Sequence, residues 1–459
     1  MASVMKSPTQ ASKDEMNNYV SDNHDTSPVL SLLHLDKSIS NLSNAIGKPV
    51  TVEYVVDHLL AHRQCTTPFE IASGKPLEST QQTRDNVRKS IMRFIREPDR
   101  WTALASVLLK SLAFHRSIQK LPCTLHESMD DTPVDFYRKC HMSTLDSGKF
   151  ELLPIVDLPR TKYNRPYLPH LTPQTNQTPL ANIKLTDTDD EEIGENENAK
   201  SKISVSHQYP YVSIVQSSST LKIGMDLVVF QHHKNEYTPT IDDFLKPFET
   251  SFTSWEWERI QYCRDSSTFV RKRRKRSDES KLREFFLRWS IKEAYTKALG
   301  LGMHINFSSF ETRLLGIDEI DKLYPKESIW DAIMSGIKNN ISISLQSPSH
   351  KECEERTSGK HFGRQDQYSV LGKIMHLPCK TKKYSDNEVW EVVFVPIPVD
   401  KGAMCNPLRR DTNSSIHDAC ACMCRGPILQ TKNGFYLGSD DRTSVLVEQI
   451  EMLDLVKIH

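Results

Sequence analysis

The segment 285–300 places the strongest constraint on the fold, because its apolar residues recur at the spacing of an α-helix. Leu287, Ile291, Ala294 and Ala298 follow one another at intervals of four, three and four residues. On a helix such residues form one continuous apolar stripe, which is stable in water only when it packs against another element. The sequence therefore predicts a helix over residues 285–300 with one buried face.

The same helix carries an acid and a base on a second face. Glu293 and Lys297 lie four residues apart, on the side that also holds Trp289 and Gly300, so the carboxylate and the ammonium can reach a common point. By spacing alone, such a pair is most often a solvated ion pair that stabilises a helix by about 0.2–0.5 kcal/mol. A functional interpretation requires a partner elsewhere in the chain.

A strand upstream supplies a candidate partner. Residues 221–230 show the alternation of a β-strand, with Met225 and Leu227 on one face and Asp226 on the other, beside Gly224. An acid on a face that is normally apolar or solvated is unusual in a sheet. Asp226 is therefore a candidate functional residue.

Composition restricts the function without naming it. The chain has 459 residues, of which 37% are hydrophobic, enough for a sizeable core in two or three domains. Lys and Arg together number 59, as do Asp and Glu, so no overall charge favours a nucleic-acid or membrane partner. The ten Cys are scattered, and Lys110 interrupts the longest apolar stretch. We expect a protein of the reducing cytosol without a membrane span or a nucleic-acid partner.

Local patterns predict the remaining elements. Residues 1–48 are rich in Ser, Asn, Asp and Thr, so we predict a disordered arm, and the polar stretches 172–200 and 325–385 are predicted insertions. Thr253 followed by Glu256 is the pattern of a capping box at the start of a helix. The other predicted elements are strands at 49–56, 203–207, 211–215, 389–395 and 419–425, and helices at 84–96 and after Pro98 and Asp99.

Several short motifs, taken in order, resemble the 4′-phosphopantetheinyl transferase family. The family signature is a Gly-x-Asp strand followed by Trp-x-x-Lys-Glu-x-x-x-Lys, and Gly224 to Asp226 and Trp289 to Lys297 match its two parts. The resemblance covers residues 84–312 well and 386–427 faintly, and it is closest to the single-chain type with two similar lobes. Three further segments match family motifs: Arg160 to Leu168, Ser206-His207-Gln208, and Phe252-Thr253 with Glu256-Trp257.

The resemblance implies an α+β protein of two pseudo-related lobes, each a small, mainly antiparallel sheet with a packed long helix, plus disordered insertions. The first lobe would span residues 49–218, and the second, which carries the catalytic helix, residues 219–459. The implied reaction moves the 4′-phosphopantetheine arm of coenzyme A to a serine of an apo-acyl or peptidyl carrier domain and releases adenosine 3′,5′-bisphosphate. The implied enzyme is a cytosolic, monomeric holo-acyl-carrier-protein synthase acting on fatty acid synthase, proteins of lysine metabolism or related synthases.

The resemblance also implies the site residues. Asp226 and Glu293 would hold Mg²⁺, which prefers hard oxygen ligands, with Gln208 or a water as the third ligand. Glu293 would also accept the serine proton, and Lys297 would stabilise the leaving phosphates. The residues expected at coenzyme A, chiefly around its phosphates, are Arg88, Arg160, Thr161, Lys162, Arg165, Ser206 and His207.

Two departures from the family pattern leave an alternative open. Many members carry a second acid two residues after the strand Asp, where this chain has Val228. Asn164 replaces the usual Gly of the basic segment, although Asn tolerates left-handed backbone conformations. The alternative is a catalytically weakened coenzyme A-binding module of the same fold.

Two further patterns have competing explanations. The alternate cysteines Cys420, Cys422 and Cys424 suggest zinc, but residues that alternate on a strand share one face and fit a core better. The basic run 271–276 fits a solvated loop, a nuclear-localisation or nucleic-acid patch, or a docking surface for acidic carrier domains.

Overall fold

The structure, a computed structural model, describes residues 28–72, 81–119, 153–161, 163–169, 202–217, 221–231, 236–264, 273–318, 328–344, 362–363, 367–376, 388–397, 419–431, 434–436 and 445–456. The strands in these ranges are β1 (Val29–His34), β2 (Cys65–Thr66), β3 (Ile155–Val156), β4 (Lys202–Gln208), β5 (Tyr211–Ser217), β6 (Lys222–Val229), β7 (Tyr262–Arg264), β8 (Arg273–Lys275), β9 (Phe310–Leu314), β10 (Phe362–Gly363), β11 (Tyr368–His376), β12 (Glu388–Ile397), β13 (Ala419–Thr431), β14 (Gly434–Tyr436) and β15 (Leu446–Gln449). The helices are α1 (Leu35–Ile46), α2 (Val52–His62), α3 (Pro68–Ala72), α4 (Gln81–Met92), α5 (Glu97–Gln119), α6 (Ile241–Leu245), α7 (Ser254–Gln261), α8 (Asp278–Leu299), α9 (Ile329–Ser344) and α10 (Met452–Leu455). Short 3-10 turns lie at Lys246–Ser251, Gly302–His304 and Phe307–Ser309.

The first sheet contains five strands in the order β10-β15-β1-β5-β4. Neighbouring strands are antiparallel except β1 and β15, which are parallel. The long helix α5 lies against β5, and its apolar side chains share a core with Val212 and Ile214 of that strand. Helices α1, α2 and α4 contribute to the same core.

The second sheet contains six strands. Five follow the order β14-β13-β12-β11-β9, and β6 pairs antiparallel with β13. Helix α8 packs across β6 and β13, with the stripe predicted from the sequence buried against Val228 and the three alternate cysteines of β13. Both the buried helix face and the assignment of these cysteines to a core are therefore confirmed.

The two sheets meet where β4 and β6, the edge strands of their sheets, face each other. Side chains of alternate β4 residues accept hydrogen bonds from alternate backbone amides of β6, in place of a backbone ladder. We call this arrangement the β4–β6 seam. Its bonds run from Met225 N to Ser204 Oγ (3.0 Å), from Leu227 N to Ser206 Oγ (3.1 Å) and from Val229 N to Gln208 Oε1 (2.7 Å).

Two predictions about the amino-terminal part are wrong. Residues 29–46, placed in a disordered arm, form β1 and α1, because β1 is buried between β5 and β15 and α1 presents its polar residues to solvent. Residues 49–56 contain the start of α2 instead of a strand. The side chain of Thr51 caps this helix, and the buried Val52, Val55 and Leu59 recur at helical spacing.

The carboxyl-terminal part also differs from expectation. The predicted insertion 325–385 contains α9, which packs on α8, and β11, a central strand of the second sheet. The segment assigned to the second lobe returns to the first sheet through β15, and α10 enters the first core. The boundary predicted at residue 218 therefore does not separate the two sheets. The predicted insertion 172–200 lies outside the described residues.

The α+β class predicted from the sequence is confirmed, whereas the pseudo-relationship of two lobes stays a prediction. Among the helices that the structure describes, none combines the length and apolar character needed to cross a membrane.

Candidate active site

The helix α8 approaches strand β6 at Gly224 so closely that no side chain fits between them. A Cβ built on Gly224 would lie 2.0 Å from the carbonyl oxygen of Ala294 and 2.3 Å from the amide nitrogen of Ala298. These neighbours are backbone atoms, which cannot rotate away. The contact places Glu293 and Lys297, which adjoin the two alanines, beside Asp226, two residues along the strand.

Lys292, in the middle of the signature, anchors α8 from its opposite side. The side chain is fully buried, and its Nζ lies 2.9 Å from Glu256 Oε2, 2.8 Å from the carbonyl oxygen of Phe307 and 2.6 Å from that of Phe310. Burial lowers the pKa of Lys292, whereas the Glu256 carboxylate raises it. These contacts indicate that Lys292 holds the helix in place.

Glu256 links this anchor to the preceding helix. It completes the predicted capping box of α7, which is confirmed by reciprocal bonds between Thr253 and Glu256. Glu256 Oε1 also accepts 2.9 Å hydrogen bonds from the backbone amide and the hydroxyl of Thr312 on β9. Helices α7 and α8 and strand β9 are thus joined through one buried carboxylate.

The candidate active site consists of Asp226, Glu293, Lys297 and Ser206. Lys297 Nζ lies 2.8 Å from Asp226 Oδ1 and 3.7 Å from Glu293 Oε1. It also lies 3.1 Å from Ser206 Oγ, which in turn donates a 2.8 Å hydrogen bond to Asp226 Oδ1. Strands from both sheets and the signature helix therefore converge on one point, where an ammonium lies between two carboxylates.

Two carboxylate oxygens of this site remain available. Glu293 Oε2 is buried and has no hydrogen-bond partner. No described residue bonds to Asp226 Oδ2, since both contacts of that carboxylate use Oδ1. Burial raises the pKa of Glu293, with Lys297 lowering it and Asp226 raising it further. Buried carboxylates are normally paired, so this unpartnered oxygen fits the role of a cation ligand.

The donor set suits magnesium, which binds through one or two carboxylates and keeps several waters. In the part of the chain that the structure describes, no group of three or more His, Cys, Asp or Glu could hold a metal. Asp226 and Glu293 would therefore be completed by water or substrate oxygens. Gln208, the predicted third ligand, bonds to Val229 in the β4–β6 seam, and no described hydrogen bond joins it to either acid.

His207 lies beside the site on β4. Loss of water around the ring lowers its pKa, and Lys297 lowers it further while Asp226 opposes the shift, although part of the side chain still reaches solvent. These interactions place the imidazole in the electrostatic environment of the cluster and favour its neutral form. A neutral imidazole remains able to donate one hydrogen bond to a phosphate.

The basic segment forms a tight turn next to the site. Arg160 pairs with Pro166 in an isolated bridge, and Thr161 Oγ1 accepts a hydrogen bond from Arg165 N at 3.2 Å. Asn164 adopts a left-handed conformation, with φ of 63°, which Asn tolerates, and its side-chain oxygen accepts a hydrogen bond from the exposed Arg160 at 3.0 Å. Residue 162, a lysine in the predicted phosphate-binding set, lies outside the described residues.

Arg165 performs a structural task that the sequence did not reveal. Its guanidinium donates to the carbonyl oxygens of Ile203 on β4 (3.2 Å), Ile223 on β6 (3.2 Å) and Ala298 on α8 (3.3 Å). Burial lowers its pKa. Arg165 thus clamps both sheets and the signature helix at the seam, and its predicted contact with coenzyme A stays a prediction.

Arg88 and Lys110, two further cationic residues, have different surroundings. Arg88 on α4 forms an exposed ion pair with Asp57 of α2, and no described contact joins it to the site. Lys110 on α5 was not predicted, yet burial lowers its pKa to about 8, and the Arg160 guanidinium contributes to this shift. The signal was present in the sequence, because Lys110 interrupts an otherwise apolar helical stretch.

Comparisons with known proteins give one matching family model and several similar proteins. Residues 222–350 match the family model described as the 4′-phosphopantetheinyl transferase superfamily. The chain is 24% identical over 168 residues to an L-aminoadipate-semialdehyde dehydrogenase-phosphopantetheinyl transferase of Xenopus laevis, covering 34% of this chain and 50% of the relative. The Homo sapiens protein of that name is 24% identical over 184 residues, covering 36% and 53%.

A third relative is a phosphopantetheinyl transferase from a Thraustochytrium species, 28% identical over 99 residues that make up 22% of this chain and 31% of that protein. The chain therefore spans about half the length of the animal relatives it matches and less of this one. The region of similarity includes the family signature, which supplies Asp226, Glu293 and Lys297.

Proposed function

We propose that this chain, whose residues 222–350 belong to the 4′-phosphopantetheinyl transferase superfamily, transfers the phosphopantetheine arm of coenzyme A to a serine of an apo-carrier domain. The observation that carries the proposal is the buried, unpartnered Oε2 of Glu293 beside Asp226 and Lys297. Buried carboxylate oxygens are normally hydrogen-bonded or paired with a cation, so this oxygen between two acids and a lysine supports a metal ligand.

The reaction would be a phosphoryl transfer. The serine oxygen would bond to the phosphorus next to pantetheine while the bond to adenosine 3′,5′-bisphosphate breaks. Mg²⁺ bound by Asp226 and Glu293 would supply positive charge to the pyrophosphate of coenzyme A. Glu293, or a water that it holds, would take the serine proton, and Lys297 would move from Asp226 to the departing phosphate.

The remaining expectations about coenzyme A and its carriers belong to this proposal. We propose that Arg160 and His207 help to attract the phosphates, with Lys110, whose electrostatic neighbours include Arg160, adding positive charge nearby. Within the basic run, Arg273 pairs with Glu258 at 3.1 Å and Lys275 with Asp242 at 2.8 Å. All three residues of β8 are exposed, and Arg274 is the one without a described ion pair, which suits an acidic carrier. We propose that the chain acts as a cytosolic monomer.

The test is to incubate the protein with coenzyme A, Mg²⁺ and an apo-acyl carrier domain and to weigh the carrier by intact mass spectrometry. The expected result is a gain of one phosphopantetheine, lost in Asp226→Ala and Glu293→Ala. Glu279→Gln is the matched control, since this exposed acid lies in the first turn of α8, away from the site. Coenzyme A binding without mass gain on any carrier would establish the alternative, a non-catalytic binding module.

A further inference from the structure

The β4–β6 seam contains one hydroxyl that does more than join the strands. The side chains of Ser204, Ser206 and Gln208 each accept a hydrogen bond from a backbone amide of β6. Ser206 alone also donates to an acid of the candidate active site, Asp226, at 2.8 Å. The three residues are equivalent in the seam, so this second contact distinguishes Ser206.

The hydrogen bonds of Ser206 are complete without any ligand. Its Oγ accepts from Leu227 N at 3.1 Å and from Lys297 Nζ at 3.1 Å, and its own proton goes to Asp226 Oδ1. A serine hydroxyl offers one donor and two acceptor sites, and all are occupied. The side chain is 3% exposed, which leaves little surface for a phosphate.

The same bonds determine how Asp226 presents its carboxylate. Ser206 and Lys297 both bond to Oδ1, so Oδ2 is the oxygen left without a described partner. Because the Ser206 hydroxyl is itself fixed by the backbone of β6, it can hold the plane of the carboxylate. Partners that orient metal-binding carboxylates in this way strongly influence metal affinity.

We infer that Ser206 is a positioning residue for the metal-binding carboxylate of Asp226, in place of the phosphate contact predicted from the sequence. The inference rests on the proposed function, because it concerns the same metal site. Ser206 keeps Oδ1 of Asp226 occupied, which leaves Oδ2, together with Oε2 of Glu293, to bind the cation. The seam thereby connects the edge of the first sheet to the metal site.

The test measures Mn²⁺ binding by electron paramagnetic resonance, with the metal alone and no coenzyme A. Ser206→Ala should raise the Kd for Mn²⁺ by about 10- to 100-fold, and Ser206→Thr, which keeps the hydroxyl, should restore it. Ser204→Ala is the matched control, because it removes the neighbouring seam bond without touching Asp226. Its Kd for Mn²⁺ should stay at the wild-type value.

Steady-state kinetics add a second readout. Ser206→Ala should raise the concentration of Mg²⁺ needed for half-maximal transfer and leave the KM for coenzyme A unchanged. Wild-type Mn²⁺ affinity in Ser206→Ala, or an equal loss in Ser204→Ala, would overturn the inference. A weaker coenzyme A affinity with normal Mn²⁺ binding would restore the phosphate role. Failure of the wild-type protein itself to bind Mn²⁺ would instead count against the proposed function.

Discussion

Gly224→Ala tests whether the close contact between β6 and α8 builds the site. The added methyl would lie 2.0 Å from a backbone oxygen of α8, so the helix must retreat by about 1.4 Å to reach an ordinary contact of 3.4 Å. Replacing Gly by Ala by itself stabilises a chain by about 0.4–1 kcal/mol through the unfolded state. Overpacking costs about 1–3 kcal/mol, and with backbone on both sides of the methyl we expect the cost to dominate.

Gly224→Ala should also slow the transfer reaction. Retreat of the helix would move Lys297 and Glu293 away from Asp226. The distance between Lys297 Nζ and Asp226 Oδ1 is 2.8 Å in the wild-type protein. A displacement of about 1 Å in a catalytic site costs on the order of 100-fold in rate. We therefore expect Gly224→Ala to lose about 1–3 kcal/mol in urea unfolding and roughly 100-fold in the rate of transfer to a carrier domain.

A matched control is Gly372→Ala on β11. There the nearest atom to an added Cβ is the side-chain Cγ2 of Val392 at 3.0 Å, which can yield by a small rotation. This variant should keep the wild-type transfer rate and lose less than about 1 kcal/mol. Wild-type stability and transfer in Gly224→Ala would refute the argument that helix contact determines the site geometry.

Three further predictions concern the surroundings of the site. Lys292→Met should destabilise the protein by about 3–5 kcal/mol in urea unfolding, because it leaves Glu256 buried without its cation, and adding Glu256→Gln should recover part of the loss; an unchanged midpoint would contradict the anchoring role. Lys110→Met should stabilise the protein by about 3 kcal/mol below pH 8, since a folded-state pKa of about 8 against the ordinary 10.5 penalises the charged form. That gain should shrink as the pH rises from 8 toward 10.5, and a gain independent of pH would exclude burial of the charge as its cause. Asn164→Val should cost about 1–2 kcal/mol because a branched side chain resists positive φ, whereas Asn164→Gly should not, and equal losses would point to the side-chain bond with Arg160 instead.

Features that depend only on residues within one helix or strand can be predicted well from the sequence. The stripe of α8, the face of β6 that carries Asp226, and the cap at Thr253 each depend on spacing within one element, and all three are confirmed. The left-handed Asn164 depends on backbone sterics at a single residue. Such features need no knowledge of what lies elsewhere in the chain.

The strand predicted at 49–56 was a local error, because the cap at Thr51 and the helical spacing of α2 lie within that element. The other errors concern contacts between distant residues. Strand β1 has weak local signals and is stabilised by β5 and β15, the second of which lies more than 400 residues away in the register Val29 with Leu446. The clamp role of Arg165 depends on three carbonyl groups from three elements. The Ser206-His207-Gln208 motif can be found in the sequence. The hydrogen bond from the Ser206 hydroxyl to Asp226, however, depends on how β4 and β6 meet in the seam. The spacing of residues within one element does not show which distant residues come into contact.

We propose that Asp226 and Glu293 form the magnesium site of a phosphopantetheinyl transferase. The most direct measurement is the intact mass of an apo-carrier domain after incubation with the protein and coenzyme A, first with EDTA and then with excess Mg²⁺ restored. We expect no mass change with EDTA and a gain of one phosphopantetheine per carrier serine when Mg²⁺ returns. An equal gain in the presence of EDTA, or full transfer by the double variant Asp226→Ala/Glu293→Ala, would contradict this proposal.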